Sequence, residues 1–452
     1  MKLKYKKFTR RSVRVGSLAK KTRPHFVGDT DIIELRAFIG LLYLQGAFKS
    51  GHEDLESLWA TDGTGRDIFR STMSLKRFLF LLSCLRFDDY TTRQERLKTD
   101  KLAPISKIFQ NFVANSCKNY NPCELLTIDE MLVPFKGRCG FRMYIPSKPA
   151  KYGLKVQILA DSRNHYMIQA EVYTGSLGTT SNKSSHSLPT QTVLRLVKPI
   201  AQTNRNITAD NWYSSIELVD ELKKIGLTYV GTIKKNKRQI PAEFLPTRKR
   251  EINSTAFGFQ KDKTMVSFVP KKNKAVLLIS SMHHQRVIDK ETNKPEIIMF
   301  YNKTKAGVDA LDEKCSLYST SRRTRRWPMA LFHAILNITG VNSRVLYLTA
   351  NSDKQLRRLD FLKVLGKSLC RPFMERRIQN VKLSMSIRST IGKLLGMPIS
   401  SQTDNSSLLP KSKRKRCSTC PKSLDRKASQ VCCTCKCPVC QQCAKLLCPN
   451  CQ

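Results

Sequence analysis

Between residues 125 and 175 the sequence reads LLTIDEMLVPFKGRCGFRMYIPSKPAKYGLKVQILADSRNHYMIQAEVYTG. Three apolar runs of strand length, 125–135, 153–161 and 165–173, are separated by Gly and Pro clusters. The stretch therefore predicts strands joined by turns. The first run carries Asp129 between Ile128 and Met131, Leu132 and Val133. A carboxylate in a buried strand is costly unless a cation, a hydrogen-bond set or water meets it. Either the strand end is open at Asp129 or something positive sits there. For one aspartate taken alone, a capping or salt-bridged side chain is the plainer account.

Helical patterns precede this block. Apolar residues recur at spacings of three and four from Asp31 to Phe48, after Asp29 and Thr30, and again around Leu55, Leu58 and Trp59. Residues 74–87 predict a helix buried through Leu75, Phe78, Leu79, Leu82 and Leu85, and Pro104 opens another. Residues 1–124 thus read as a helical domain with basic edges.

After the strand block, a polar loop spans 176–189 and a short helix is expected over 190–200. RNITADNWYSSIELVDELKKIGLTYVGTIKKN then gives a strand ending at Asp210, a helix from about Ser214 to Ile225 and a strand over 227–233. Strands alternating with helices argue for a mixed sheet covered by helices, with functional groups at strand ends. Residues 235–295 break the pattern and read as an insertion holding two strand-like runs, 264–269 and 275–280. His283 and His284 lie there and are expected on the surface. Ile297–Tyr301 reads as a strand. Gly307 starts a helix whose first turn carries Asp309 and Asp312 on one face. Acids in a first turn also complement the helix dipole. Arg322, Arg323, Arg325 and Arg326 follow, a solvated charge run or, better, a phosphate track. Long helices are expected over Trp327–Tyr347 and 354–370.

Lys plus Arg number 80 against 35 Asp plus Glu, a formal net charge of +45. A field of that size attracts polyanions, and a phosphate backbone is the expected partner. No basic amphipathic helix or lipidation signal supports a membrane instead, and the longest apolar run, Ala37 to Phe48, is too short to span one. The reading is an intracellular DNA-binding protein with no membrane partner. The basic cluster Lys411, Lys413, Arg414, Lys415 and Arg416, in a linker over 399–416, reads as a nuclear-localisation or DNA-contacting patch.

Ten of the 16 cysteines fall between 417 and 451. Four C-x2-C pairs stand out: Cys417 and Cys420, Cys432 and Cys435, Cys440 and Cys443, Cys448 and Cys451. Eight thiolates make two tetrahedral zinc sites, and so short a segment needs such a staple to fold. Cys433 and Cys437 are then spare, and spacing alone leaves open whether the pairs combine in sequence or crossed.

TIDEMLVPFKGRCGFRMYIPSKPAKYG, ITADNWYSS, YNKTKAGVDALDEKCSLYSTSRRTRRWPMALF and the cysteine module together resemble the piggyBac transposases and the domesticated genes derived from them. The match runs in order from about residue 31 to the end. It implies an α/β, ribonuclease H-like catalytic domain bearing essential aspartates, at positions matching Asp129, Asp210 and Asp309, with Asp312 a further acid of the same site. Hard carboxylate oxygens of this kind suit Mg²⁺ or Mn²⁺. The implied reaction is metal-dependent nicking at transposon ends, a hairpin intermediate and joining to TTAA targets. The alternative is a domesticated DNA-binding protein that no longer cuts; survival of all four acids favours activity.

The resemblance also implies a split layout. Residues 125–234 and 296–318 would form the catalytic domain, interrupted by the insertion 235–295. Residues 1–124 and 319–398 would form an all-α DNA-binding and dimerisation domain. The C-terminal cysteine-rich domain, 417–452, would be a cross-brace, with Cys417, Cys420, Cys440 and Cys443 on one zinc. Cys432, Cys435, Cys448 and Cys451 would hold the other. The implied assembly is a nuclear homodimer on double-stranded DNA. The chain departs from the family pattern in three places. It lacks the acidic N-terminal tail and first aromatic-rich helix, with consequences expected for dimer and DNA-complex assembly. Ala306 stands where relatives commonly have Gly, and Cys443 where some have His.

Overall fold

A computed structural model describes residues 24–175, 186–397, 415–428, 430–432, 435 and 437–443. Within them the chain divides into two compact units, one comprising 46–51 and 86–362, the other the remaining described residues. Lys411, Lys413, Arg414, Cys433, Cys448 and Cys451 lie outside the described residues.

The first unit is built on a nine-stranded sheet. Its strands are β1 (Leu125–Pro134), β2 (Met143–Tyr144), β3 (Tyr152–Asp161), β4 (Met167–Val172), β5 (Asn206–Ala209), β6 (Thr228–Thr232), β7 (Thr255–Gln260), β8 (Lys263–Lys271) and β9 (Lys274–Ser280). Their order is β2-β3-β1-β5-β6-β9-β8-β7, with β4 also paired to β3. β1 pairs antiparallel with β3 and parallel with β5, and β5 pairs parallel with β6. β3 lies inside the sheet and is buried at every residue but its first, which is why its run reads as almost continuously apolar. The segment expected as an insertion carries β7–β9, and β9 joins β6 antiparallel, so these strands prolong the same sheet. One face of the sheet packs through Leu126, Ile128, Ile207 and Tyr229 against the helices Leu188–Val197 and Ile216–Lys224.

One expected strand is a helix. Ile297–Tyr301 lies in the α-helix Glu296–Thr304. The β-branched and aromatic run suggests a strand, but Pro295 sets the helix start, and its carbonyl accepts from Ile298 N at 2.9 Å. Burial of Ile297, Ile298 and Thr304 on one side supplies the tertiary packing that overrides propensity. The helices Gly307–Leu317 and Trp327–Ala350 follow. His284 is exposed, whereas His283 is half-buried, its Nδ1 2.8 Å from Ser280 Oγ.

The second unit contains helices Leu55–Leu58, Asp67–Thr72, Leu75–Cys84 and Met385–Leu395, with most of Ile32–Ala47 and Arg358–Ile378. Phe38, Trp59 and Phe78 meet at ring separations of 5.0–5.1 Å. Gly40 allows a close helix crossing, because a Cβ there would lie 2.7 Å from the Gly366 carbonyl. Arg77 Nε donates to Glu34 Oε1 at 2.8 Å in a half-buried pair. No helix among the described residues is long and apolar enough to cross a membrane.

Candidate active site

The register of the sheet brings two of the predicted acids together. β1 and β5 run parallel with Ile128 opposite Ala209, so the next residues are Asp129, within β1, and Asp210, just past the end of β5. Asp210 leaves the strand in a tight turn. Its Oδ1 accepts from Trp212 N at 2.9 Å, and Ser214 Oγ donates to its carbonyl at 2.9 Å. This local bonding is what an aspartate at a strand end provides.

The third and fourth acids arrive on the helix Gly307–Leu317, which packs on β1. Its approach is close at Gly307, where a Cβ would lie 2.5 Å from Thr127 Oγ1. Ala306 has φ −82°, so its backbone does not call for glycine. Asp309 is exposed, and Asp312, one turn further on, is half-buried.

Burial, then the charges of Glu130, Asp210 and Asp309, push the Asp129 carboxyl up to about 8. Burial also raises Asp210, aided by the charge of Glu130. Asp312 is raised by burial against the pull of Lys148. Carboxylates whose charges oppose one another, as those of Asp129, Asp210 and Asp309 do, are reluctant to ionise together without a cation. The donor set is oxygen only and partly open to solvent at Asp309, which fits a hard divalent ion.

Several residues at the site escape sequence reasoning. Lys148 Nζ donates to Asp309 Oδ1 at 3.2 Å and to the Glu130 carbonyl at 3.1 Å. It comes from the turn-rich IPSKP segment, where no periodicity marks it. Lys155 is buried in β3, 3.7 Å from Glu130 Oε2 and 4.2 Å from the Trp212 ring centroid. A lysine inside the run LKVQILA is the available signal for that buried charge. Of the arginine run, Arg323 and Arg325 are exposed, while Arg322 and Arg326 are half-buried, and Arg322 Nη1 donates to the Ser50 carbonyl at 3.1 Å.

In the cysteine module, the sulfurs of Cys417, Cys420, Cys440 and Cys443 lie within 4.8 Å of one another and can hold a metal ion. A two-stranded ribbon, β10 (Gln430–Val431) and β11 (Pro438–Val439), leads into this cluster. Burial opposes ionisation of Cys417, but backbone N–H groups of Cys440, Thr419 and Cys420 bring its thiol down to about 6. A ready thiolate is what a soft metal needs. Cys432 and Cys435 are packed against the same small core. Arg416, expected to face DNA, forms an ion pair with Asp425 at 2.6 Å, while Lys415 is exposed.

A family model described as Transposase IS4 matches residues 10–344. The chain is 24% identical over 356 residues to PiggyBac transposable element-derived protein 3 of Homo sapiens, covering 75% of this chain and 58% of that protein. It is 19% identical over 351 residues to PiggyBac transposable element-derived protein 2 of Homo sapiens, covering 74% and 58% respectively. The chain thus spans a little over half the length of these curated relatives. A cryo-EM structure of a piggyBac transposase synaptic complex with hairpin DNA is similar with a TM-score of 0.83 and 37% identity, covering 96% of this chain and 91% of that one. The chain belongs to the piggyBac transposase family.

Proposed function

We propose that this protein is a metal-dependent, cut-and-paste DNA transposase that cleaves transposon ends and joins them to TTAA targets. The observation that carries the reading is the placing of Asp129, within β1, beside Asp210, at the end of the adjacent strand β5, with Asp309 and Asp312 on the helix packed against β1. The strand order β4-β3-β1-β5-β6, antiparallel then parallel, supports a ribonuclease H-like catalytic domain over 125–234 and 296–318. The similarity to a synaptic complex with hairpin DNA supports a DNA substrate, and the net charge of +45 supports a polyanionic one.

Asp129, Asp210, Asp309 and Asp312 are the residues that would hold Mg²⁺ or Mn²⁺. Such ions activate an attacking oxygen and stabilise the leaving one. The chain's own part is positional. The turn at Asp210 fixes its carboxylate through Trp212 N, and Lys148 steadies the exposed carboxylate of Asp309. Arg323 and Arg325 present exposed cations beyond the acidic helix, suited to the DNA backbone.

Zinc is the metal we assign to Cys417, Cys420, Cys440 and Cys443, since four sulfur donors suit a structural zinc site. Cys432 and Cys435 with Cys448 and Cys451 are assigned to the second ion. Residues 1–124 with 319–398 are assigned to DNA binding and dimerisation, and the protein to the nucleus.

The test is Mg²⁺-dependent cleavage of DNA carrying the inverted repeats that flank the gene, with Asp210→Asn as control. Hairpinned ends with the wild type alone are expected. DNA binding without cleavage by the wild type would overturn the transposase reading and favour a domesticated DNA-binding protein.

A further inference from the structure

Lys314 follows Asp312 on the helix Gly307–Leu317, and Arg344 and Arg358 of the same unit lie within range of its charge. None of them contacts Asp129 or Asp210. Lys314 Nζ lies 2.5 Å from His165 Nδ1. An imidazole carries no negative charge in either protonation state, so His165 is no counter-ion. The nearby Asp161 is no counter-ion either. Its carboxylate accepts from Cys123 N, Arg163 N, Asn164 N and Tyr120 Oη at 2.9–3.0 Å.

Tyr318 caps the C-terminus of this helix, four residues after Lys314. The Arg358 guanidinium sits 5.2 Å from the Tyr318 ring centroid, and Lys49 Nζ lies 5.8 Å from that centroid. Arg358 Nε and Nη1 are buried and meet no hydrogen-bond acceptor. Arg344 Nε and Nη2 are spent on the Leu356 carbonyl, a neutral group, at 3.1 and 2.9 Å. Burial opposes ionisation of Arg358, and the charge of Arg344 adds to that. Among the described residues, no carboxylate forms an ion pair with Lys314, Arg344 or Arg358. The adjacent acid, Asp360, pairs with Arg357 instead.

Like charges set together, half-buried and without a counter-ion are costly. Stacking on Tyr318 satisfies one guanidinium face of Arg358 but supplies no acceptor to its N–H groups. An oxyanion would supply both acceptors and charge. We propose that Lys314, Arg344 and Arg358 form a binding site for a phosphate group. A DNA diester is one source of that group and free inorganic phosphate the other. The DNA source rests on the reading of this chain as a DNA-binding transposase; the anion site itself does not.

The experiment uses the full chain and the double variant Lys314→Gln/Arg358→Gln, with Arg358→Lys as a folding control that keeps the charge. Affinity for a duplex is measured against salt concentration. If a DNA phosphate sits here, the double variant lowers the magnitude of the log–log salt slope by about 0.9, the value for one lost phosphate contact, and Arg358→Lys restores it. Thermal unfolding without DNA is followed in inorganic phosphate against chloride of matched ionic strength. Stabilisation by phosphate in the wild type but not in the double variant, with an unchanged DNA slope, assigns the site to the free anion. No effect in either arm overturns the proposal. Because both readouts are binding, absence of cleavage by the wild type with an altered slope in the variant counts against the active-site reading only. Intact cleavage with both arms flat counts against this site only.

Discussion

The Thr127 hydroxyl donates to the Thr304 carbonyl oxygen at 2.6 Å, with both residues buried. Thr127 precedes Asp129 by two residues, so strand geometry places both side chains on one face of β1. Thr208, two residues before Asp210, shares a 2.8 Å hydrogen bond with Thr304 Oγ1. One residue at the end of the helix Glu296–Thr304 therefore ties both acid-bearing strands, three residues before the helix carrying Asp309 and Asp312 begins. Thr127→Val keeps the shape and removes the donor. We expect a stability loss of about 1–3 kcal/mol from the unpaired carbonyl, together with a roughly ten-fold or greater drop in cleavage from displaced acids. Thermal unfolding and a cleavage time course check this; wild-type behaviour in both would show that the clasp positions nothing.

Gly307→Ala tests the same contact from the other side. The added Cβ would lie 2.5 Å from Thr127 Oγ1 and 2.9 Å from Thr127 Cβ. The helix or the strand must move, at a cost of about 1–3 kcal/mol for overpacking. Cleavage is expected to fall while duplex DNA binding, measured by fluorescence anisotropy, stays within about two-fold. Full cleavage activity in this variant would mean that the helix position tolerates the shift.

Much of this arrangement is legible in the chain, and the limits have physical reasons. The strands over 125–135 and 153–161 are read directly from their apolar runs, because sheet strands covered on both sides leave such a signature. β7, with its half-exposed TAFGFQ, leaves almost none. Ile297–Tyr301 misleads because a five-residue apolar run looks alike in a buried helix and a buried strand. On the helix Leu75–Cys84, periodicity marks Leu79 as core, yet Leu79 is 42% exposed while Phe80 and Leu81 are buried. Which apolar side is covered depends on neighbours that the local pattern does not name. The four acids illustrate the same limit. Each is visible as a carboxylate inside or at the end of a strand run or in a helix start, but the β1–β5 pairing that unites Asp129 with Asp210 spans some 80 positions of sequence. Only the family resemblance pointed to it in advance. Lys148 and Thr304 act through contacts of the same long range and left no local trace.

The cysteine cluster gives a prediction independent of the acids. If a zinc ion joins Cys417, Cys420, Cys440 and Cys443, its removal takes away the main support of a segment whose described core is little more than those sulfurs and Val439. Chelation, or Cys440→Ser, is expected to melt the described part of the module, seen as loss of amide protection by hydrogen exchange at Cys417, Cys432 and Cys443, and to weaken recognition of transposon ends. End binding unchanged after the metal is stripped would remove the module from DNA recognition.

His333 provides a pH-dependent test. It lies in the helix Trp327–Ala350, 2% exposed, with Nδ1 3.2 Å from Thr320 Oγ1. Burial pushes its pKa from 6.5 down to about 4. The folded-state value is below the unfolded one, so between these two pH values the unfolded chain binds the extra proton. Stability from the neutral imidazole is therefore complete above about pH 6.5 and is lost as pH falls towards 4. At pH 5 the loss relative to neutral pH is about 2 kcal/mol, from 1.36 kcal/mol per unit of pKa difference. Denaturant unfolding at pH 7 and pH 5 reads it directly. His333→Gln, which cannot take up a proton, is expected to be less stable at pH 7 but to lose about 2 kcal/mol less than the wild type on acidification. An equal acid loss in the two proteins would show that His333 is not the group that titrates.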